Sequence, residues 1–560
     1  MSESLRATEE RGAPVVQTAS NDGRGGRRIS DRVALWAFVA YVAISVPVIL
    51  FHIGSYHWFY GDEWSFLGDR DGGSLHDLFA SHGEHWTTVP VIVYRVLFRI
   101  FGLHSYRPYQ AVVVIAHATT ALLLRAVARR GGARPWTATI VVAVFVLFGP
   151  GEQNIVWAFQ MTFVGAILFG LVHLLLADHD GPFGRRDLAG VGAGLLGLMC
   201  SGVALVMVAV VGLAVFARRG WRIAACHTVP LVGAYGIWYA ATRPGGIANS
   251  YGRGPTAREL ARFTWSGVSG VYKSLAGVDA LGVAVAVIMV VGIWCAIRAR
   301  RPPERRQLVA PLALVAGVPL YLVGTGWTRW FLTPEAGAQS RYIYTLAAFV
   351  LPALAVAVDA LAQRWRLLTP LLLGLFLFAA VVNVGDFGSN FYSNPQTHDR
   401  ERTFMTALAA SDAARDAPAY LRPRNWVTIG WLRERSRTGD LPRPTHVTPF
   451  LERAVANSLT IGQIADDDRE RTHCDRISRT KVLEVERGDR FTVRFDAPPS
   501  GEPDYFTQDM VVIERLNAEG RVLGRLHFKT EFGDVIEIEE PDARIRAYAG
   551  NSSHHVVLCA

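Results

Sequence analysis

Charge is scarce in this sequence. Asp, Glu, Lys and Arg make up 19% of its 560 residues, where about a quarter is usual for soluble proteins. That shortfall argues against an ordinary soluble domain, and the positive mean hydropathy points the same way. Cysteine is scarce too, with five residues in all, which excludes a disulfide-dense scaffold. Cys200, Cys226 and Cys295 lie in apolar segments, where a thiol acts as a small hydrophobe. Cys474 and Cys559 lie in the polar C-terminal region, and a disulfide between them is open if that region is outside the cytoplasm. No small-residue cleavage site accompanies the first apolar segment, which starts near Val33. Residues 1–30 are therefore expected to be a disordered cytoplasmic tail ending in the basic stretch GRGGRRISDR. No internal repeat is visible, which argues against an inverted-repeat transporter.

What the sequence does have is apolar runs of about 20 residues separated by arginine-rich gaps, the mark of a polytopic membrane protein. Fifteen Trp and seventeen Tyr suit interfacial aromatic belts. The net charge of +9 comes from arginines in short loops beside apolar spans. Positive-inside topology accounts for them, and no nucleic-acid partner is expected.

Spans are predicted at 33–52, 107–127, 136–149, 155–177, 223–242, 278–298, 308–325, 341–362 and 367–383. The run 188–217 is long for one helix and basic at both flanks, so two half-spans meeting near Cys200-Ser201-Gly202 are expected there. The fold class is thus a polytopic α-helical membrane protein of about eleven spans. Its N-terminus is expected in the cytoplasm and its C-terminus outside, in the plasma (inner) membrane. Residues 31–389 form the transmembrane domain, with a first outer loop at 53–106. Residues 87–102 carry Arg95 and Arg99 four apart on one helical face. Two arginines in mid-bilayer would be costly, so this segment reads as an amphipathic helix on the outer surface. A second surface helix is expected within 243–277. Residues 390–560 alternate and turn like strands in their later part, and read as an extracytoplasmic α+β or β-sandwich domain.

Asp62 and Glu63 stand about ten residues past the first span, among Trp58, Phe59, Tyr60 and Trp64. They admit two readings: solvated loop acids with an N-cap, or a general base that takes a proton from an acceptor hydroxyl. SHGEHW follows, with His82, Glu84 and His85. No further ligands at recognisable spacing support a metal there, and His85 reads better as a hydrogen-bond donor to substrate. Asp69 and Asp71 form an Asp-x-Asp in GDRDGG, so a divalent metal stays open, although the Gly pair favours a turn. Glu152, Gln153, Asn154 and Gln160 stand at a span mouth, either as solvated polar groups or as lining of the same outer cavity. Arg329 and the segment QSRYIY, with Arg341 and Tyr342, open a later span. Arg341 either snorkels or clamps a phosphate, which a guanidinium matches two oxygens at a time.

Taken together, GDEW after the first span, the surface helix leading into FGLHSYRPYQ, and SRY before a late span resemble the GT-C superfamily of integral-membrane glycosyltransferases. This is the fold of the protein O-mannosyltransferases and of the bacterial aminoarabinose and arabinose transferases. The sequence has TTVPVIVYR where the mannosyltransferase branch shows Pro-Pro-Leu, and no Trp-Trp-Asp motif of the oligosaccharyltransferases. The resemblance implies sugar transfer, with inversion, from a polyprenyl-phosphate-linked donor to a glycan, lipid or protein acceptor of the cell envelope. It makes Asp62 the base, Glu63 an assistant or alternative base, and Arg341 the phosphate partner, with Arg95 or Arg99 as further phosphate contacts. His85, Glu152, Gln153, Arg329 and Tyr342 would line the substrate site. Two other readings compete: a lipid or glycolipid transporter or flippase, and a membrane-anchored glycan-binding protein.

Overall fold

The computed structural model describes residues 21–70, 74–244, 254–330, 333–389, 394–424 and 426–444, and from 447 to 559 mainly helix ends and strands. The chain begins with α1 (Asn21–Val48), which unwinds through a wider turn at Ile49–Ile53. The last ten residues of the expected disordered tail are therefore helical; residues 1–20 lie outside the described part. The first loop carries α2 (Leu75–Phe79), a hairpin of β1 (Ser81–His82) and β2 (His85–Trp86), and then α3 (Thr88–Phe101). Helix α3 buries Val91 and Tyr94 and exposes Ile92, Val96 and Ile100. That stripe, one residue every turn, is the apolar face of an amphipathic helix.

Next come α4 (Arg107–Arg130), α5 (Pro135–Val146), α6 (Glu152–Val156), α7 (Met161–Ala177), α8 (Arg185–Leu198), α9 (Val203–Arg219) and α10 (Trp221–Thr242). They are followed by α11 (Ala257–Ala276), α12 (Gly282–Ala299), α13 (Pro302–Arg305), α14 (Val309–Arg329), α15 (Ser340–Arg364) and α16 (Thr369–Val382). Every predicted apolar segment coincides with one of these helices. Among the described residues, seven helical stretches are long and apolar enough to cross a membrane. The pair α5 and α6 makes an eighth if a 50° bend at Leu147-Phe148 is allowed within one span. Helices α8 and α9, at 14 and 17 residues, are each shorter than the roughly 20 residues a full span needs. The expected total of about eleven counted this pair as two half-spans, and the described helices show seven or eight full spans.

The helix ends sort onto two faces. On one, Arg129 lies 3.5 Å from Asp31, Arg134 bonds Asp359 at 2.7 Å and Arg218 bonds Asp178 at 2.5 Å. This basic face gathers the arginine-rich connections. On the other, Val89 N–H donates to the Met199 carbonyl and Glu84 meets Arg329. Asp187 at the start of α8 meets Arg219 at the end of α9, 2.5 Å apart and buried. The stretch 188–217 is therefore a helical hairpin, with its base at the basic face and the break at Met199–Gly202 under the first loop. That agrees with the two half-spans read from the flanking charges.

Helix α15 is buried along almost its whole length and serves as the central post. It packs most extensively against α12, where a Cβ on Gly292 would press into the backbone of Ala357. Small residues allow such close helix approach.

Beyond α16, α17 (Pro395–Ala410), α18 (Asp412–Asp416) and α19 (Ile429–Thr438) fold back over the first loop. His398 bonds the Trp58 carbonyl at 3.0 Å, and Leu103 N–H donates to the Asp440 carbonyl at 2.8 Å. The remaining strands are β3 (Ile461–Ile464), β4 (Cys474–Ile477), β5 (Leu483–Val485), β6 (Arg490–Phe495), β7 (Met510–Leu516), β8 (Val522–Lys529), β9 (Val535–Ile538), β10 (Ala543–Ala549) and β11 (Val556–Cys559). They form two antiparallel sheets, ordered β5-β10-β7-β8 and β3-β9-β6-β11-β4. Register sets Cys474 directly across from Cys559 on β4 and β11.

Candidate active site

The acidic pair is split by its backbone. A turn at Gly61, with φ of +58°, a conformation glycine adopts freely, sends the two adjacent side chains to different environments. Glu63 goes inward and is fully buried. Its Oε1 accepts from the hydroxyls of Tyr94 (2.5 Å) and Tyr106 (2.9 Å), and its Oε2 accepts from Tyr60 N–H (2.8 Å). The Trp157 indole is a further hydrogen-bonding neighbour. Burial pushes the Glu63 carboxyl up to about 7 against the opposing pull of these donors. Its two oxygens take hydrogen bonds from Tyr94, Tyr106 and Tyr60, so Glu63 helps hold the loop in place.

Asp62 goes outward, 39% exposed, with His82 Nε2 4.0 Å away. His82 Nδ1 lies 3.0 Å from Ser65 Oγ. Burial first, then the Arg70 charge, drives His82 down to about 3, so the ring beside Asp62 is neutral. Arg70 is itself buried and holds the hairpin, donating to Thr87 Oγ1 (2.9 Å) and to the Ser81 carbonyl.

Glu84 and Arg329 form a two-pronged pair at 3.0 and 2.9 Å, anchoring the hairpin to the end of α14. Burial alone would raise the Glu84 carboxyl, but the Arg329 hydrogen bonds and charge outweigh it and hold it below the usual range. His85 Nδ1 lies 3.3 Å from the Gly202 backbone N–H. Because a backbone amide can only donate, Nδ1 is the acceptor and the neutral ring carries its proton on Nε2. Burial and then Arg329 lower His85 to about 4, with Glu84 opposing and Arg341 adding to the effect. Arg341 is thus within electrostatic reach of His85. Its guanidinium donates to Gln339 Oε1 (3.2 Å) and stands 5.0 Å from the centre of the buried Tyr342 ring.

The segment GEQNIVWAFQ is not an exposed loop: all of it is buried. Glu152 accepts from Gly388 N–H at 2.5 Å and so ties α6 to the connection after α16. The Gln153 N–H donates to Ser340 Oγ (3.2 Å), next to Arg341. Phe159 packs on His82, and Phe163 on His85.

Asp62 is thus linked through His82 to His85, and Arg329 and Arg341 lie within electrostatic reach of His85; Ser65, which holds His82, carried no site signal in the sequence. Arg95 is committed elsewhere, donating twice to the Arg70 carbonyl (3.0 and 2.8 Å), and Arg99 is exposed on α3. Among the described residues no three His, Cys, Asp or Glu side chains converge as metal ligands. Asp71, the second acid of the Asp-x-Asp, lies outside the described residues, as do the side chains of Cys474 and Cys559. A hollow lined by Trp365–Leu368 lies at the far end of α15 from Arg341. No protein-family model matches the sequence, and neither a curated protein nor a solved structure is significantly similar to it.

Proposed function

We propose that this chain is an integral-membrane glycosyltransferase of the plasma membrane that moves a sugar from a polyprenyl-phosphate carrier to an extracytoplasmic acceptor, with inversion. In this reading about eleven segments enter the membrane, α8 and α9 as half-spans, and the positive-inside rule sets the arginine-rich face in the cytoplasm and the Asp62 face outside. The observation that carries the reading is a partly exposed carboxylate, Asp62, beside His82, in the same first loop as His85, which has the Arg329 and Arg341 guanidinium groups within electrostatic reach.

In the proposed step the acceptor oxygen attacks the anomeric carbon while Asp62 takes its proton. The bond between that carbon and the phosphate oxygen breaks, and polyprenyl phosphate leaves with the electron pair. Arg341 offsets the charge that develops on phosphate, so no general acid is needed. Arg329 shares its charge with Glu84 and contributes more to holding the hairpin. The Nε2–H of His85 is a neutral donor on the same loop. The resemblance to the GT-C enzymes in layout supports this assignment.

The transport reading drew on the helix break near Ser201. That break is the tip of a hairpin beneath the first loop, where His85 and Val89 bond its backbone. The deciding experiment reconstitutes the purified protein in liposomes with labelled polyprenyl-phosphate sugars and soluble acceptors. Covalent transfer of label with inverted stereochemistry supports the proposal; uptake of label without a new glycosidic bond opposes it.

A further inference from the structure

The link from α6 to α7 bridges the two halves of the site. Residue 153 bonds Ser340 beside Arg341. Trp157 lies against Gly61 and Tyr60, and Phe159 against His82, next to Asp62. If phosphate sits at Arg341 and the attacking hydroxyl at Asp62, the transferred ring must lie between them, along this link.

Asn154 stands on it, fully buried. Neither its amide nitrogen nor its carbonyl oxygen has a hydrogen-bond partner among the described residues. Gln160 Oε1, at the end of the link, and Thr162 Oγ1, in the first turn of α7, are likewise buried and without a hydrogen-bond partner among the described residues. Folded proteins leave very few buried polar atoms without partners, because each forfeits its water contacts for nothing. Three such side chains within nine residues indicate groups kept for a ligand. A carboxamide offers a donor and an acceptor and no charge, which matches adjacent hydroxyls on a neutral ring.

We infer that Asn154, with Gln160 and Thr162, forms the subsite that reads the hydroxyls of an uncharged donor sugar; this rests on the glycosyl-transfer reading above. Asn154 is a specificity residue here and takes no proton in the reaction.

The test uses full-length protein in nanodiscs and two measurements. Binding is compared for polyprenyl phosphate alone and for the same lipid bearing a neutral hexose. Melting temperature is recorded for wild type, Asn154→Leu and the smaller Asn154→Ser. Wild type is expected to prefer the hexose-bearing lipid. Both variants should lose that preference by about tenfold, the worth of one or two hydrogen bonds, while binding the bare lipid as before. Leucine, nearly the same size, should raise the melting temperature by about 2 °C, since an idle buried amide is removed. Preference unchanged in both variants, or a lower melting temperature in both, overturns the inference. A wild type that binds bare lipid without distinguishing the sugar also overturns it but leaves the phosphate site standing. A wild type that binds neither lipid defeats the glycosyl-transfer reading itself.

Discussion

Glu84 and Arg329, 245 residues apart in sequence, are joined by two parallel hydrogen bonds that fasten the first loop to the end of α14. Each side chain is about one-fifth exposed, so the pair is neither a solvated surface bridge nor a fully dry one. Glu84→Gln or Arg329→Met should each cost about 1–3 kcal/mol, and the double variant should cost less than the sum. A double-mutant cycle from thermal melts measures the coupling. Because the pairing holds the Glu84 carboxyl low, its stabilisation is present above the unfolded value and fades as pH drops through the lower folded value. Wild type should therefore lose the advantage over Glu84→Gln in acid, below about pH 4.5.

Glu63 behaves in the opposite sense. Its folded value, about 7, lies above the ordinary 4.5. The folded state therefore holds a proton that the unfolded chain releases between those limits. Its contribution is complete below about pH 4.5 and disappears as pH rises through 7, about 3 kcal/mol in all. Glu63→Gln, which keeps the shape without the titration, should flatten the pH dependence of melting across that window. An unchanged pH profile would mean that the carboxyl is not buried as described.

The hairpin of α8 and α9 depends on its base. Asp187 accepts from Arg219 (2.5 Å) and lies 3.0 Å from His227 Nε2, all three buried. Asp187→Asn should destabilise by about 3–5 kcal/mol, because it strands the Arg219 charge. Arg219→Met in the same background should recover part of that loss, as read by melting temperature in detergent.

Much of this architecture was legible in the sequence, because apolar run length and flanking arginines report on a helix and its ends without knowledge of its neighbours. The half-span reading of 188–217 came from its length and flanking charge, and the placing of 87–102 outside the spans from its two arginines. Pairing was not legible. Nothing local tells Glu84 to seek Arg329, or Asp187 to seek Arg219. Nor could the adjacency of Asp62 and Glu63 say which turns inward; that depends on Tyr94 and Tyr106, 31 and 43 residues away from Glu63. The polar run at 151–160 looked like a loop because its composition is polar, yet it is buried beneath the first loop and α15. Its unpaired amide is visible only in three dimensions.

Arg341 is expected to grip phosphate through a planar fork that lysine cannot copy. Arg341→Lys should lower kcat/KM for the lipid-linked donor by about tenfold, and Arg341→Met by about a hundredfold, with melting temperatures unchanged in both. Initial-rate kinetics over donor concentration check this.

The central claim concerns a proton. Asp62→Asn keeps the size and polarity of a partly exposed side chain and removes only its basicity, so the protein should fold and bind donor as wild type does. Transfer of labelled sugar from the polyprenyl-phosphate donor should then fall by at least about a hundredfold. Transfer at close to the wild-type rate by a well-folded Asp62→Asn protein would contradict the account.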